Sequence, residues 1–309
     1  MTTKNKLSNE TESVVNSYSI MPELHGRFPR PSQRWLWLWR GRFRLQAYYR
    51  RLRTRKWITR IAGPQYRRSR HMIEIDITYL CNLTCLNCNR SVSQAPEALH
   101  MPLKMVRKFV DDSINTKKKW RRIRILGGEP TLHPEFSEII EEFLRYKAIY
   151  KEAIIEVVTN GYGSKAKRVI KELPDTIMVD NSEKQGSVQP HFGPFNMAPI
   201  DDPHFSNASF SNGCSILHEC GMGLTPMGYY PCAVAGGIDR ILQQQIGGEN
   251  LPDDSDDMLD KVDSLCRYCG RFQDGHFIPR SVRAPLEEAK MSSTWKRLYA
   301  QWEAPSSSE

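Results

Sequence analysis

The chain has 309 residues, a formal net charge of +9, 39% apolar residues and eight cysteines. That is enough apolar material for a buried core, and no stretch approaches the roughly eighteen uninterrupted apolar residues of a membrane span. The N-terminus is polar and lacks the apolar core of a secretory signal, so the expected compartment is the cytosol, where closely spaced cysteines serve metal or redox chemistry rather than disulfides.

Residues 1–26 are rich in Ser, Asn, Thr and Glu without periodicity, and are expected to be mobile. Residues 27–70 hold fifteen Lys/Arg and no Asp or Glu, with the run RWLWLWRGRFRLQAYYRRLRTRKWITRI. The basic excess of the chain therefore belongs to this one segment. Helical spacing places Leu45, Tyr48, Tyr49 and Leu52 on one face. Two readings stay open: a helix packed on the body with a solvated basic face, or a surface for an anionic membrane, which would put the protein at the inner face of one. Nucleic acid is not the expected partner, because no RNA-binding module is recognisable. On this reading the body should fold without the segment.

From residue 72 strands and helices alternate. MIEIDITY (72–79), RIRIL (122–126), AIIEVVT (153–159) and TIMVD (176–180) read as strands. Helices are expected over 102–116, 135–148 and 164–173, the second with Phe136, Ile139, Ile140 and Phe143 inward. Strands separated by helices imply parallel pairing with right-handed crossovers, hence an α/β fold over 71–210. Beyond about 183 the pattern gives way to Pro, Gly and Asn clusters. A cysteine-rich region follows over 211–280, with a hairpin expected at 224–232 turning at Pro226–Gly228. A C-terminal helix and tail occupy 281–309.

The stretch CNLTCLNC sets Cys81, Cys85 and Cys88 directly after the first strand. Three thiolates in one compact loop suit a [4Fe–4S] cube with one iron left open. Zinc would want a fourth ligand, and His100, the nearest downstream candidate, sits at no usual spacing.

This CxxxCxxC resembles that of the radical S-adenosylmethionine (SAM) superfamily, and the likeness continues along the chain. Gly127-Gly128-Glu129-Pro130 follows the second strand, where the family has a Gly-Gly-Glu motif. Thr159-Asn160-Gly161 follows the third, and Asn181 and Ser182 end the fourth. The resemblance implies a partial parallel (β/α)6 TIM-like barrel, with the site at the C-terminal ends of its strands. It implies that Cys81, Cys85 and Cys88 ligate a catalytic [4Fe–4S] cluster whose open iron chelates SAM. Gly127, Gly128, Glu129, Thr159, Asn160, Asn181 and Ser182 are then the SAM-contacting residues, with Glu129 pairing the methionine ammonium. Asn87 departs from the family, in which an aromatic residue often precedes the third cysteine. An electron donor such as flavodoxin or ferredoxin is a further implied partner.

Five cysteines remain: Cys214, Cys220, Cys232, Cys266 and Cys269. Their arrangement, with Gly228-Tyr-Tyr-Pro-Cys232 and a final CxxC, resembles the twitch or SPASM-type extension of radical SAM enzymes. Five thiols cannot ligate two cubes fully, so one auxiliary [4Fe–4S] cluster is expected. Cys214 suits the family spacing better than Cys220, but either could be the spare thiol. The resemblance implies reductive cleavage of SAM and hydrogen-atom abstraction from a substrate C–H. The expected reaction is dehydrogenation or epimerisation of a small polar metabolite such as a sugar or aminocyclitol; peptide modification is the alternative. A non-enzymatic cluster protein is a third hypothesis, and it would form no 5′-deoxyadenosine. No residue is singled out as catalytic beyond these ligands.

Overall fold

The computed structural model describes residues 35–184, 193–276 and 288–303. The segment 1–26, read above as mobile, and the tail beyond 303 lie outside these residues.

Helix α1 (Leu36–Arg53) and the short α2 (Lys56–Ala62) precede the sheet. Then β1 (Met72–Thr78), α3 (Leu103–Asn115), β2 (Arg122–Gly127), α4 (Phe136–Ile149), β3 (Ile154–Thr159), α5 (Gly163–Glu172) and β4 (Met178–Asn181) follow the expected alternation. The second half contains α6 (Ile216–Glu219), β5 (Met222–Thr225), β6 (Gly228–Tyr230), α7 (Ala233–Leu242), α8 (Leu259–Cys266), α9 (Arg271–Asp274) and α10 (Ser293–Glu303).

The fold is α/β around one six-stranded sheet, in the order β4-β3-β2-β1-β5-β6. β1 to β4 pair in parallel, each beside its sequence neighbour. β5 then joins the other side of β1, also in parallel, and β6 returns antiparallel to it. Among the described residues the sheet therefore holds three βα units in chain order and a fourth parallel strand, with β5 as a fifth, where a regular partial barrel has six units. Between β4 and β5 the described residues form 3-10 turns at Pro199–Asp201, Pro203–Phe205 and Phe210–Asn212 and the one-turn α6, with no further strand. Two of these turns begin on proline, which has no N–H to give a central strand. The anticipated hairpin at 224–232 is the β5–β6 pair.

Alternation within the strands sorts the two faces. Ile73, Ile75, Ile77, Ile123, Ile125, Ile155 and Val157 point to α3 and α4 and form the main core with Val106, Phe109, Ile139 and Phe143. The other face is charged. Glu74, Asp76, Arg124 and Glu156 are all buried on it. Arg124 meets Glu74 at 2.6 Å, Glu156 at 2.7 Å and Asp180 at 3.2 Å. Arg90 meets Glu74 at 2.8 Å and Asp76 at 3.2 Å. A second apolar core lies over the cysteine-rich half and gathers Phe205, Phe210, Leu217, Val234, Ile238, Leu265, Phe272 and Trp295.

The basic segment docks on this second core. Phe43 of α1 is buried and stacks on His276, ring centres 5.6 Å apart. The face that periodicity marked out, Leu45, Tyr48 and Tyr49, turns to solvent instead. The segment is thus tied to the body through Phe43 and Arg50.

Candidate active site and cluster cavity

Cys81, Cys85 and Cys88 occupy the loop leaving β1, with Cys85 and Cys88 buried and Cys81 partly exposed. The loop is held against the end of β2. Gly128 N–H donates to Thr78 O (2.7 Å) and Glu129 N–H to Leu80 O (2.9 Å). A Cβ on Gly127, whose φ is +137°, would lie 2.2 Å from Thr78 O; one on Gly128 would lie 2.3 Å from Leu80 O. These two glycines let the backbone of β2 press on the thiol-bearing loop, and any side chain would push the two apart.

Glu129 is fully buried. Its Oε1 accepts from Thr131 N–H (3.2 Å), Thr131 Oγ1 (2.7 Å) and Thr159 Oγ1 (2.7 Å), and its Oε2 from Asn160 N–H (2.7 Å). Every one of these donors is neutral. A buried carboxylate held this way is fixed in position, yet its charge is met by dipoles alone. Asn160 also donates to Asn82 Oδ1 (2.8 Å) and, more weakly, to Cys81 Sγ (3.9 Å). Ser182 donates to Thr159 O through both N–H and Oγ, each at 3.0 Å. The Asn181 side chain packs where a Cβ on Gly161 would fall. Gly127, Gly128, Glu129, Thr159, Asn160, Asn181 and Ser182 therefore form one connected patch at the C-terminal strand ends, touching the thiol loop at Cys81.

Asn82, which sequence reading passed over, is a linchpin of that patch: it accepts from Asn160 and donates to Tyr162 O (2.7 Å). Its place between two of the motif cysteines was the available signal. Asn87 is committed elsewhere, donating to Glu288 O (3.0 Å) and accepting from Lys290 N–H (3.2 Å), so it fastens the C-terminal segment to the loop. His100 bonds Thr78 Oγ1 through Nδ1 (2.9 Å), a structural use.

In the second half, Cys214, Cys232, Cys266 and Cys269 line one cavity whose other walls include Leu217, Val234, Ile238, Leu265 and Phe272. They arrive from the loop before α6, the end of the β5–β6 hairpin, the last residue of α8 and the loop after it. Cys220 is not among them. It packs with Met72 at the base of the sheet, beside Glu74 and Arg124. Among the described residues no three His, Cys, Asp or Glu side chains close on a point as one metal ion would require. Four thiols around a shared void suit a larger group.

Burial pushes all four thiols up, Cys269 to about 12; neighbouring thiols add to the rise at Cys232, Cys266 and Cys269, and Arg271 opposes it at Cys214 and Cys269. Beside them lies Arg50 of α1. It is 2% exposed and donates to Phe272 O (3.1 Å), Gln65 Oε1 (2.5 Å) and Gly213 O. Its guanidinium lies over the Phe272 ring at 4.3 Å. All three acceptors are neutral, and burial draws the guanidinium down to about 10, with Cys214 and Cys266 among the groups that resist the fall. Nothing in the sequence distinguishes Arg50 from the other arginines around it.

Comparison with known proteins falls on the same residues. Residues 75–180 match the Radical SAM superfamily. It is 33% identical over 104 residues to a GTP 3′,8-cyclase of Haemophilus ducreyi, across 32% of this chain and 28% of that protein. It is 31% identical over 101 residues to a GTP 3′,8-cyclase of Mannheimia succiniciproducens, across 31% of this chain and 28% of that one. The chain thus spans little more than a quarter of the length of these curated relatives. Among solved structures, BtrN in complex with AdoMet and 2-DOIA aligns at a TM-score of 0.38 and 17% identity, covering 66% of this chain and 94% of BtrN. Selenomethionyl BtrN in an open conformation aligns at 0.35 with 17% identity, covering 66% and 86%.

Proposed function

We propose that the chain is a radical SAM enzyme with an auxiliary iron–sulfur cluster, acting on a C–H bond of a small polar metabolite by dehydrogenation or epimerisation. The observation that carries this reading is a pair of buried charges, each without a counter-ion among the described residues and each beside a thiol set. Glu129 lies next to the three-thiol loop and is bonded only by neutral donors. Arg50 lies next to the four-thiol cavity and is bonded only to neutral acceptors. An ammonium group, such as that of SAM's methionine, completes the first. An anionic cluster with four thiolate ligands completes the second.

Cys81, Cys85 and Cys88 would hold the catalytic cluster, and Cys214, Cys232, Cys266 and Cys269 the auxiliary one. When bound and reduced, the catalytic cluster supplies the electron that cleaves SAM, and the 5′-deoxyadenosyl radical so formed takes a hydrogen atom from the substrate. The protein's own part is positional. Asn82 and Asn160 brace the loop at Cys81. Glu129, locked by Thr131, Thr159 and Asn160, presents a carboxylate at a fixed point.

The test is anaerobic reconstitution followed by reduction with SAM. Formation of 5′-deoxyadenosine is the expected result, with deuterium appearing in it when a carbinol-deuterated substrate is supplied. Stoichiometric zinc, no iron–sulfur absorbance and no 5′-deoxyadenosine would overturn the reading.

A further inference from the structure

Helix α1 has two faces with opposite fates. Phe43 and Arg50 fix one against the cysteine-rich half. The opposite face therefore cannot turn inward. It carries Trp37 (67% exposed), Leu38, Leu45 (72%), Tyr48 (62%) and Tyr49. At helical pitch these residues form one continuous stripe along the axis, with Gly41 in its middle where nothing lies within 4 Å. α2 adds Trp57 and Ile61, one turn apart and both exposed. Eight of the thirteen large exposed hydrophobic side chains among the described residues fall between Trp35 and Ile61. A concentration of this kind marks a contact surface rather than scattered surface residues.

The charges say what kind of contact. Arg40, Arg44 and Arg51 border the stripe on one side and Arg42 on the other, all exposed; Arg55, Lys56 and Arg60 are exposed on or beside α2. No Asp or Glu occurs between Trp35 and Arg70. We propose that α1 and α2 form a docking surface for an anionic lipid bilayer, lying in the plane of its interface. The apolar residues run along the centre and the arginines along the flanks, where their stems lie on the hydrocarbon boundary while their heads reach lipid phosphates. A nucleic acid would call for the reverse order, with arginines central to meet the phosphate backbone. No described helix is long and apolar enough to cross a membrane, so the contact is with its surface. The proposal is independent of the chemistry inferred above.

The experiment uses the full-length, cluster-loaded protein and vesicles of phosphatidylcholine alone or mixed with phosphatidylglycerol, at low and high salt. Co-sedimentation with the anionic vesicles only, weakening as salt rises, is expected. Leu45→Glu with Tyr48→Glu should lower that binding by about tenfold or more, with iron content unchanged because both side chains face solvent. Arg44→Gln with Arg51→Gln should lower the salt concentration at which binding is lost. Absence of binding, equal binding by the Leu45/Tyr48 variant, preference for an RNA oligomer over vesicles, or a dimer that the same variant dissolves would each overturn the proposal.

Discussion

The sheet half and the cysteine-rich half bury charge in different ways. On the sheet, buried guanidiniums meet carboxylates directly: Arg124 has three and Arg90 two. That layer is closed by its own residues. In the cysteine-rich half Arg50 is just as buried but donates only to neutral oxygens, near Cys214 and Cys266. An uncompensated buried charge is costly, so a site that keeps one is built for something that supplies the opposite sign. The sheet half has one such group too, Glu129, at the edge of the thiol loop. Each half thus keeps a buried charge with neutral partners beside its thiols.

The sharpest test of the distinction is to remove thiols. Cys81→Ala, Cys85→Ala or Cys88→Ala should abolish 5′-deoxyadenosine formation and leave about four irons of an original eight or so. Cys232→Ala or Cys266→Ala should lose the other four and also soften the second core, since these thiols sit inside it. Cys220→Ser should leave the iron count unchanged. If Cys220→Ser removes iron as Cys232→Ala does, the cavity assignment is wrong.

How much of this was legible beforehand follows the same division. A motif written in one short loop after one strand, such as Cys81 to Cys88, can be read directly, as can Gly127 to Glu129 and Thr159 to Gly161, because strand ends bring them together in order. The four-thiol cavity draws on positions 214 to 269, and sequence spacing alone left Cys220 an open alternative. Arg271 of α9 lines it, but a second cation, Arg50 on Phe272 and Gly213 behind that wall, comes from α1, 164 residues before Cys214. Only tertiary folding reveals that. Strand order also escaped: β5 beside β1 follows from the proline-rich segment before it, which gives no periodic signal. The helical stripe at Leu45 to Leu52 was read correctly as a face, but apolar periodicity does not say which way a face turns when both sides carry aromatic residues.

The next largest effect is expected at Glu129. Glu129→Gln removes the charge at nearly constant shape and should weaken SAM binding by about ten- to a hundredfold, the size of a charge-assisted hydrogen bond of about 1.5–3 kcal/mol. The cluster should remain, as judged by iron content and absorbance. Unchanged SAM affinity would mean that the Glu129 charge is answered by something other than the ammonium.

Arg50 gives the complementary reading in the other half. Arg50→Gln removes a buried positive charge beside the proposed auxiliary cluster and so disfavours its more negative, reduced state. The midpoint potential of that cluster should fall by about 60 mV, the shift of a one-electron couple for a tenfold change in equilibrium constant. Arg50→Lys should fall less, and the catalytic cluster should not move. A redox titration followed by electron paramagnetic resonance separates the two. Equal potentials in wild type and Arg50→Gln would show that the guanidinium serves packing alone, through Phe272 and Gly213.

The last effect, confined to a pH window, probes whether the sheet layer is as closed as its ion pairs suggest. Asp180 sits at its edge, bonded to Arg124 Nη2 at 3.2 Å. Burial pushes its carboxyl up to about 6, Arg124 opposes the rise, and Glu156 adds to it. In an unfolded chain the same group titrates near ~3.9. Between about pH 4 and 6 the folded protein therefore keeps a proton that the unfolded chain has released, and stability contributed at this site falls as pH rises through that window. Above it the penalty is constant. Asp180→Asn removes the titration, so the variant should gain on wild type from about pH 4 to 6 by up to about 2–3 kcal/mol, roughly two pKa units at 1.36 kcal/mol each. Glu74, held low by Arg90 and Arg124 against the effect of burial, has the opposite sign but is common to both proteins. Unfolding midpoints of the pair, measured at pH 4.5 and 7, give the difference directly. A gap that stays constant between the two would mean that Arg124 compensates Asp180 fully, leaving the sheet layer with no residual cost of burial to set against that of Arg50.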